Sequence, residues 1–264
     1  MPPDLMFWVG VAIKMTITAL FVSVATIAAE KLGAAVGALV ATLPVSAGPV
    51  YVFLALDHDA AFISASALAS LALNAATAIY VTVYVVLAQR RGVWISVPLA
   101  LAVWFAAALL FGPVHWTAWA ALVLNLVMFV LCFVIVERYG HVRMPPTKRT
   151  WYDFMIRAGM VALLVGAVLT LSFRIGPAGS GILAVFPVIY SSIMVILHSR
   201  VGGPATAAVL ANAIPGLAGF GMALLTLHLT AVPFGSASAL LIALFVSVAW
   251  NLMLYVLRRQ RLNT

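Results

Sequence analysis

Apolar residues fill this chain in long uninterrupted runs, and polar residues gather in short clusters between them. The runs predict nine helical spans, at roughly residues 5–28, 33–56, 61–88, 93–112, 115–136, 152–173, 179–199, 203–228 and 234–257. Each holds about 20 residues or more, the length a helix needs to cross the hydrocarbon layer of a bilayer. The separators are turn and charge signals: Glu30 with Lys31, Asp57 to Asp59 through His58, residues 89–92, Gly112 with Pro113, and residues 200–203. The longest polar stretch, residues 137–150, is basic and holds the pair Pro145 and Pro146. The runs are continuously apolar rather than alternating, which favours helices over the strands of a membrane barrel.

The apolar pattern occurs twice. The stretch KLGAAVGALVATLPVSAGPVYVFL surrounds Gly33 and Pro44, and RIGPAGSGILAVFPVIYSSIMVIL surrounds Gly176 and Pro187. Trp8 and Trp151, Gly33 and Gly176, and Pro44 and Pro187 are each separated by 143 residues. Residues 8–54 set against 151–197 without gaps give 12 identities in 47 positions. Span 1 thus aligns with span 6, 2 with 7, 3 with 8 and 4 with 9, and span 5 is left over. An odd number of spans before the second copy turns it upside down. The expected fold is an all-α polytopic bundle with an inverted repeat of four plus one plus four spans. Its parts are residues 1–112, a linking span and basic loop at 113–150, and residues 151–264.

Composition agrees with this reading. Of 264 residues, 66% are hydrophobic and 8% charged, against about 25% charged in an average soluble domain. Mean hydropathy is +1.19. The net charge of +8 would suggest nucleic acid in a soluble protein; here the excess of basic residues in cytoplasmic loops explains it, and no nucleic-acid partner is expected. With nine spans, one side carries only Arg174. The other carries Lys31, Arg90, Arg91, Arg138, Arg143, Lys148, Arg149, Arg200, Arg258, Arg259 and Arg261. The expected placement is therefore multi-pass in a bacterial inner membrane, N-terminus outside and C-terminus cytoplasmic. The first ten residues lack a basic leader and Lys14 interrupts the apolar run, so the first span is expected to remain.

The paired prolines are the first candidates for chemistry. Pro44 falls about 18 Å along a helix starting near Leu32, close to the bilayer midplane. Proline removes a backbone donor and frees a carbonyl one turn earlier, and in lipid such a group must face protein or a water-filled cavity. One reading is a discontinuous helix in each half, its backbone lining a solute site with Ser46 in one copy and Tyr190, Ser191 and Ser192 in the other. The plainer reading is a proline kink packed through small residues. Lys14 and Arg157, also 143 apart, could meet an anionic group; alternatively they snorkel to the interface marked by Trp8 and Trp151. Counting from opposite faces puts Lys14 near the outer side and Arg157 near the inner one, which argues against one shared ligand. Asn74, Asn125, Asn212 and Asn251 lie deep in spans, where interhelical hydrogen bonding is their ordinary role.

No Asp or Glu falls in the middle of a span, so a carboxylate proton relay is not expected. No nucleotide-binding loop, metal-ligand spacing or nucleophile–base set is present, so no catalytic residue, metal or cofactor is expected. Cys132 is the only cysteine, which excludes an internal disulfide. Residues 181–203, through Gly181, Phe186, Pro187 and His198, resemble the GlpM-type small bacterial membrane proteins. That resemblance implies a small membrane unit duplicated and fused here, and it carries no reaction. The expectation is a secondary transporter or exporter of a small solute, with the lipid bilayer as its other partner. The alternative is a membrane scaffold or assembly factor using the basic loop and C-terminus.

Overall fold

The computed structural model describes residues 3–31, 46–142 and 151–263, and all regular structure among them is helical. In chain order the helices are α1 (Pro3–Lys31), α2 (Ala47–Asp57), α3 (Ala60–Leu87), α4 (Val93–Phe111), α5 (Ala118–Val136), α6 (Trp151–Ala184), α7 (Val188–Val201), α8 (Gly203–Ala211), α9 (Ile214–Phe234) and α10 (Ser236–Asn263). Seven helical stretches among the described residues are long and apolar enough to cross a membrane. The molecule is read accordingly as an integral membrane protein. Its outer surface suits lipid: Trp94, Leu109, Trp119, Leu126, Leu241 and Phe245 are all largely exposed. A continuous apolar surface of this kind marks contact with another apolar phase. Pro44 lies outside the described residues.

Helix α3 is the centre of the bundle. Asp59 starts it, its Oδ1 accepting the Phe62 N–H at 2.8 Å, which satisfies one of the donors a helix start leaves open. Ala67, Ala72, Ala75, Ala76 and Ala78 are buried along it, and small side chains let neighbouring backbones approach. Helices α4, α5, α6, α8 and α9 pack around it. Farther out, α1 lies on α6 and α10 on α9; α2 touches α10, and α7 touches α4.

The runs expected at 152–173 and 179–199 are joined in one helical stretch with two breaks, and the run expected at 203–228 is interrupted. The stretch Asp153–Val201 is 49 residues long and breaks twice. At Gly176 the backbone has φ 67° and ψ −172°, a conformation open essentially to glycine alone. At Pro187 it forms a tight turn, the Val188 N–H reaching the Phe186 carbonyl at 2.7 Å, with φ −79° and ψ 51°. These are the angles of an inverse γ-turn. The run expected at 203–228 instead turns at Asn212 and Ala213 and continues to Phe234. Pro215 explains the turn: it has no N–H for the Ala211 carbonyl and its ring would crowd that oxygen.

Candidate functional site

The break between α6 and α7 is held by side chains from α3. The hydroxyl of Ser191 donates to the Pro187 carbonyl at 2.7 Å. A hydroxyl has one proton to give, so Tyr80 Oη is the donor in its 2.8 Å bond to Ser191 Oγ. One turn up α6, Ser70 Oγ donates to the Gly181 carbonyl at 2.6 Å and accepts from Tyr51 Oη of α2 at 2.6 Å. The chain Tyr51–Ser70–Gly181 thus ties α2 to the broken segment through α3. A methyl group at Gly181 would collide with the carbonyl oxygen of Ser66, so the glycine lets the two backbones meet. Ser66 is fully buried, and its own hydroxyl has no hydrogen-bond partner among the described residues. Buried hydroxyls are normally satisfied, so Ser66 is an exception at this tight crossing.

Phe186, at the break itself, packs edge-on against Trp104 of α4 with ring centroids 5.2 Å apart. Trp104 Nε1 in turn donates to Thr77 Oγ1 of α3 at 3.3 Å. Farther along the same helix Tyr84 Oη bonds His198 Nδ1 of α7 at 2.8 Å. One side of α3 therefore presents Ser70, Thr77, Tyr80 and Tyr84 in helical register to the interrupted stretch and its aromatic cover. At the margin of the same stripe, one turn from Ser70, lies Asn74, whose Nδ2 donates at 3.1 Å to Asn125 Oδ1 and to the Leu217 carbonyl.

Of the residues expected at a site, the structure brings Pro187 and Ser191 into direct contact. Ser192 is buried and donates to the Ile189 carbonyl, and Tyr190 is partly buried against the core. Ser46 sits in the turn before α2 and makes no capping bond with its side chain. Lys14 is elsewhere: its Nζ lies 2.5 and 2.6 Å from the two carboxylate oxygens of Asp57. Its neighbour Met15 packs on Gly166 of α6. Gly166 is nine residues beyond Arg157, or about 13 Å of helix. Lys14 and Arg157 are therefore not brought to one place. Asp153 accepts from both Nη atoms of Arg200. The two ion pairs lie toward opposite ends of α3, since Asp57 precedes its start and His198, near Arg200, bonds Tyr84 near its finish.

Outside the spans, His58 bonds Ser172 Oγ at 2.9 Å and stacks on Phe62. Burial pushes the His58 pKa below the ordinary imidazole value; Asp57 and Asp59 oppose that shift, and Lys14 adds to it. Sequence reasoning missed Tyr51, Ser70, Tyr80 and Tyr84. The signal for the last three was their spacing on span 3, where Ser66, Ser70, Asn74, Thr77, Tyr80 and Tyr84 recur every three or four residues, a stripe on one side of a helix; Tyr51, on span 2, had none.

Among the described residues, no three His, Cys, Asp or Glu side chains gather as a metal site would require. The arrangement offers hydroxyls, carbonyls and helix ends around a backbone break. Those hydroxyls and carbonyls are bonded to one another across α2, α3, α6 and α7. No family model matches the chain, and neither a curated protein nor a solved structure is similar to it.

Proposed function

We propose that this protein is a secondary transporter or exporter of a small solute, built from two inverted four-span units joined by α5. Its site lies at the break between α6 and α7. The observation that carries this reading is the interrupted helix at Pro187, gripped by Ser70 and Tyr80 and linked through Ser70 to Tyr51. Discontinuous helices near the midplane are how many transporters expose backbone groups to a solute.

The span count follows from length. A helix of 49 residues would extend about 73 Å, more than twice a hydrocarbon core. Asp153–Val201 therefore counts as spans 6 and 7. Helix α2 falls within the apolar run 33–56 read from the sequence as span 2, and with that run the total becomes nine. The inverted repeat is supported by what packs on what. Asn74 bonds the carbonyl of Leu217, 143 residues away; residues related by a two-fold axis meet where that axis passes. The partners at that offset also pair as whole helices, α1 with α6 and α3 with α9, and the contact of α2 with α10 matches that of α7 with α4. Asp57 and Arg200 have the same offset, and each closes an ion pair with the first span of its own half. The charge asymmetry of the loops orients the whole with its N-terminus outside and its C-terminus in the cytoplasm of a bacterial inner membrane.

Cysteine scanning of residues 42–49 and 185–192 in a Cys132→Ala background tests the reading. A water-soluble thiol reagent is expected to modify positions near Ser191 in the membrane-embedded protein. Complete protection of both segments from both faces would mean no aqueous path, and the scaffold reading would take its place.

A further inference from the structure

A second feature lies between α1, α2, α9 and α10. It is a cavity of about 410 Å³ lined by Thr18, Gly48, Phe53, Ala223 and Leu227, among other residues nearly all apolar. Phe21, Val52, Leu241 and Leu244 also line it and are themselves exposed on the apolar outer surface. The cavity is thus continuous with the face that meets lipid. The Lys14–Asp57 ion pair does not line it but lies close by: Phe53 lines the cavity, and Lys14 Nζ is 5.9 Å from the Phe53 ring centre while bonding Asp57. Thr18, another lining residue, is one turn along α1 from Lys14 and donates to its carbonyl.

The cavity also has a structural origin. At the 143-residue offset Tyr80 corresponds to Ala223 and Tyr84 to Leu227. Where α3 sends two tyrosines toward α7, α9 presents a methyl and an isobutyl group toward α2. This comparison rests on the duplication proposed above; the cavity and its lining do not. A void walled by apolar groups has no use for water, and the fluid beside it in a membrane is acyl chain. The ion pair close by offers both signs of charge, only partly buried, with side-chain exposures of 22% and 23%. A zwitterionic headgroup carries the same two signs in a short span.

We propose that this cavity binds one acyl chain of a membrane phospholipid, with the zwitterionic headgroup at the Lys14–Asp57 pair. The test is photolabelling of the full chain in vesicles of phosphatidylethanolamine and phosphatidylglycerol, doped with a phosphatidylethanolamine that carries a diazirine on its acyl chain. Labelled residues are located by peptide mass spectrometry. Residues 47–53 and 220–227 should be labelled several-fold more densely than the lipid-facing stretch 119–126 of α5. Ala223→Phe, which fills the cavity, should bring them down to that background. Leu244→Trp fills it from the rim and serves if Ala223→Phe does not elute as a folded protein. Equal labelling of cavity and α5 in the unaltered protein would overturn the proposal, as would an excess that survives filling. Lys14→Met with Asp57→Leu should lower the excess for phosphatidylethanolamine; an unchanged excess would overturn the headgroup assignment. None of these readouts needs transport, so they stand or fall apart from the thiol-access result.

Discussion

At the scale of single residues, the molecule places charge where it can be neutralised and hydroxyls where the backbone is interrupted. Lys14 read in sequence as an isolated cation six residues past a tryptophan. Its partner Asp57 read as part of a turn, because nothing in one strand of text says that a residue 43 positions away closes on it. Removing one member of such a pair leaves the other charge uncompensated, which costs more than removing both. Asp57→Asn is therefore expected to lower stability in mild detergent by about 1–3 kcal/mol, and Lys14→Met combined with Asp57→Asn by less. Thermal unfolding of the single and double variants checks the order. The hydroxyls give a second contrast. Tyr80→Phe leaves Ser191 bonded to the Pro187 carbonyl, so it should cost about 1 kcal/mol. Ser191→Ala removes a bond to Pro187 and leaves Tyr80 only the weaker Met194 Sδ acceptor, and should cost visibly more by the same measurement.

At the scale of elements, the sequence made the helices and one break legible and hid how the break is held. Continuous apolar runs and turn clusters placed most helix ends. Pro187 announced an interruption because a residue without an N–H cannot continue the ladder. Gly176 was legible as a loosening residue, yet its positive φ is a property of the packed chain. The turn at Asn212 was not legible because the apolar run continues through Pro215 without a polar cluster. Ser70 and Tyr80 were hidden because a lone polar residue in an apolar helix declares no partner, and theirs are 111 residues away. These details predict opposite effects at the two breaks. Gly176→Ala forces a side chain into a glycine conformation and should destabilise by about 1–3 kcal/mol. Pro187→Ala restores a donor to the Leu183 carbonyl, so the two helical pieces can join. Thiol access at positions 185–192 should then fall sharply while the protein still folds, as size-exclusion elution and labelling of the same samples would report.

At the scale of the whole molecule, the apolar exterior and the helix lengths define a multi-pass bundle, and the 143-residue offset is the proposed basis of its arrangement. The offset was visible in the text as matched glycines, prolines and tryptophans. Its spatial counterpart, the meeting of Asn74 with Leu217, is a through-space relation that spacing alone could not specify. The orientation is tested by reporter fusions: a phosphatase active only outside the cytoplasm should be silent at the C-terminus and active after Asp59. The reverse pattern would overturn the charge argument. The central claim is that water reaches the break at Pro187. Its most direct test is the reactivity of Ser191→Cys, in Cys132→Ala protein within sealed vesicles of either orientation, toward a membrane-impermeant maleimide. The account predicts modification from at least one face, well above a Leu126→Cys control on the lipid-facing surface of α5. Ser191→Cys as inert as Leu126→Cys from both faces would contradict it.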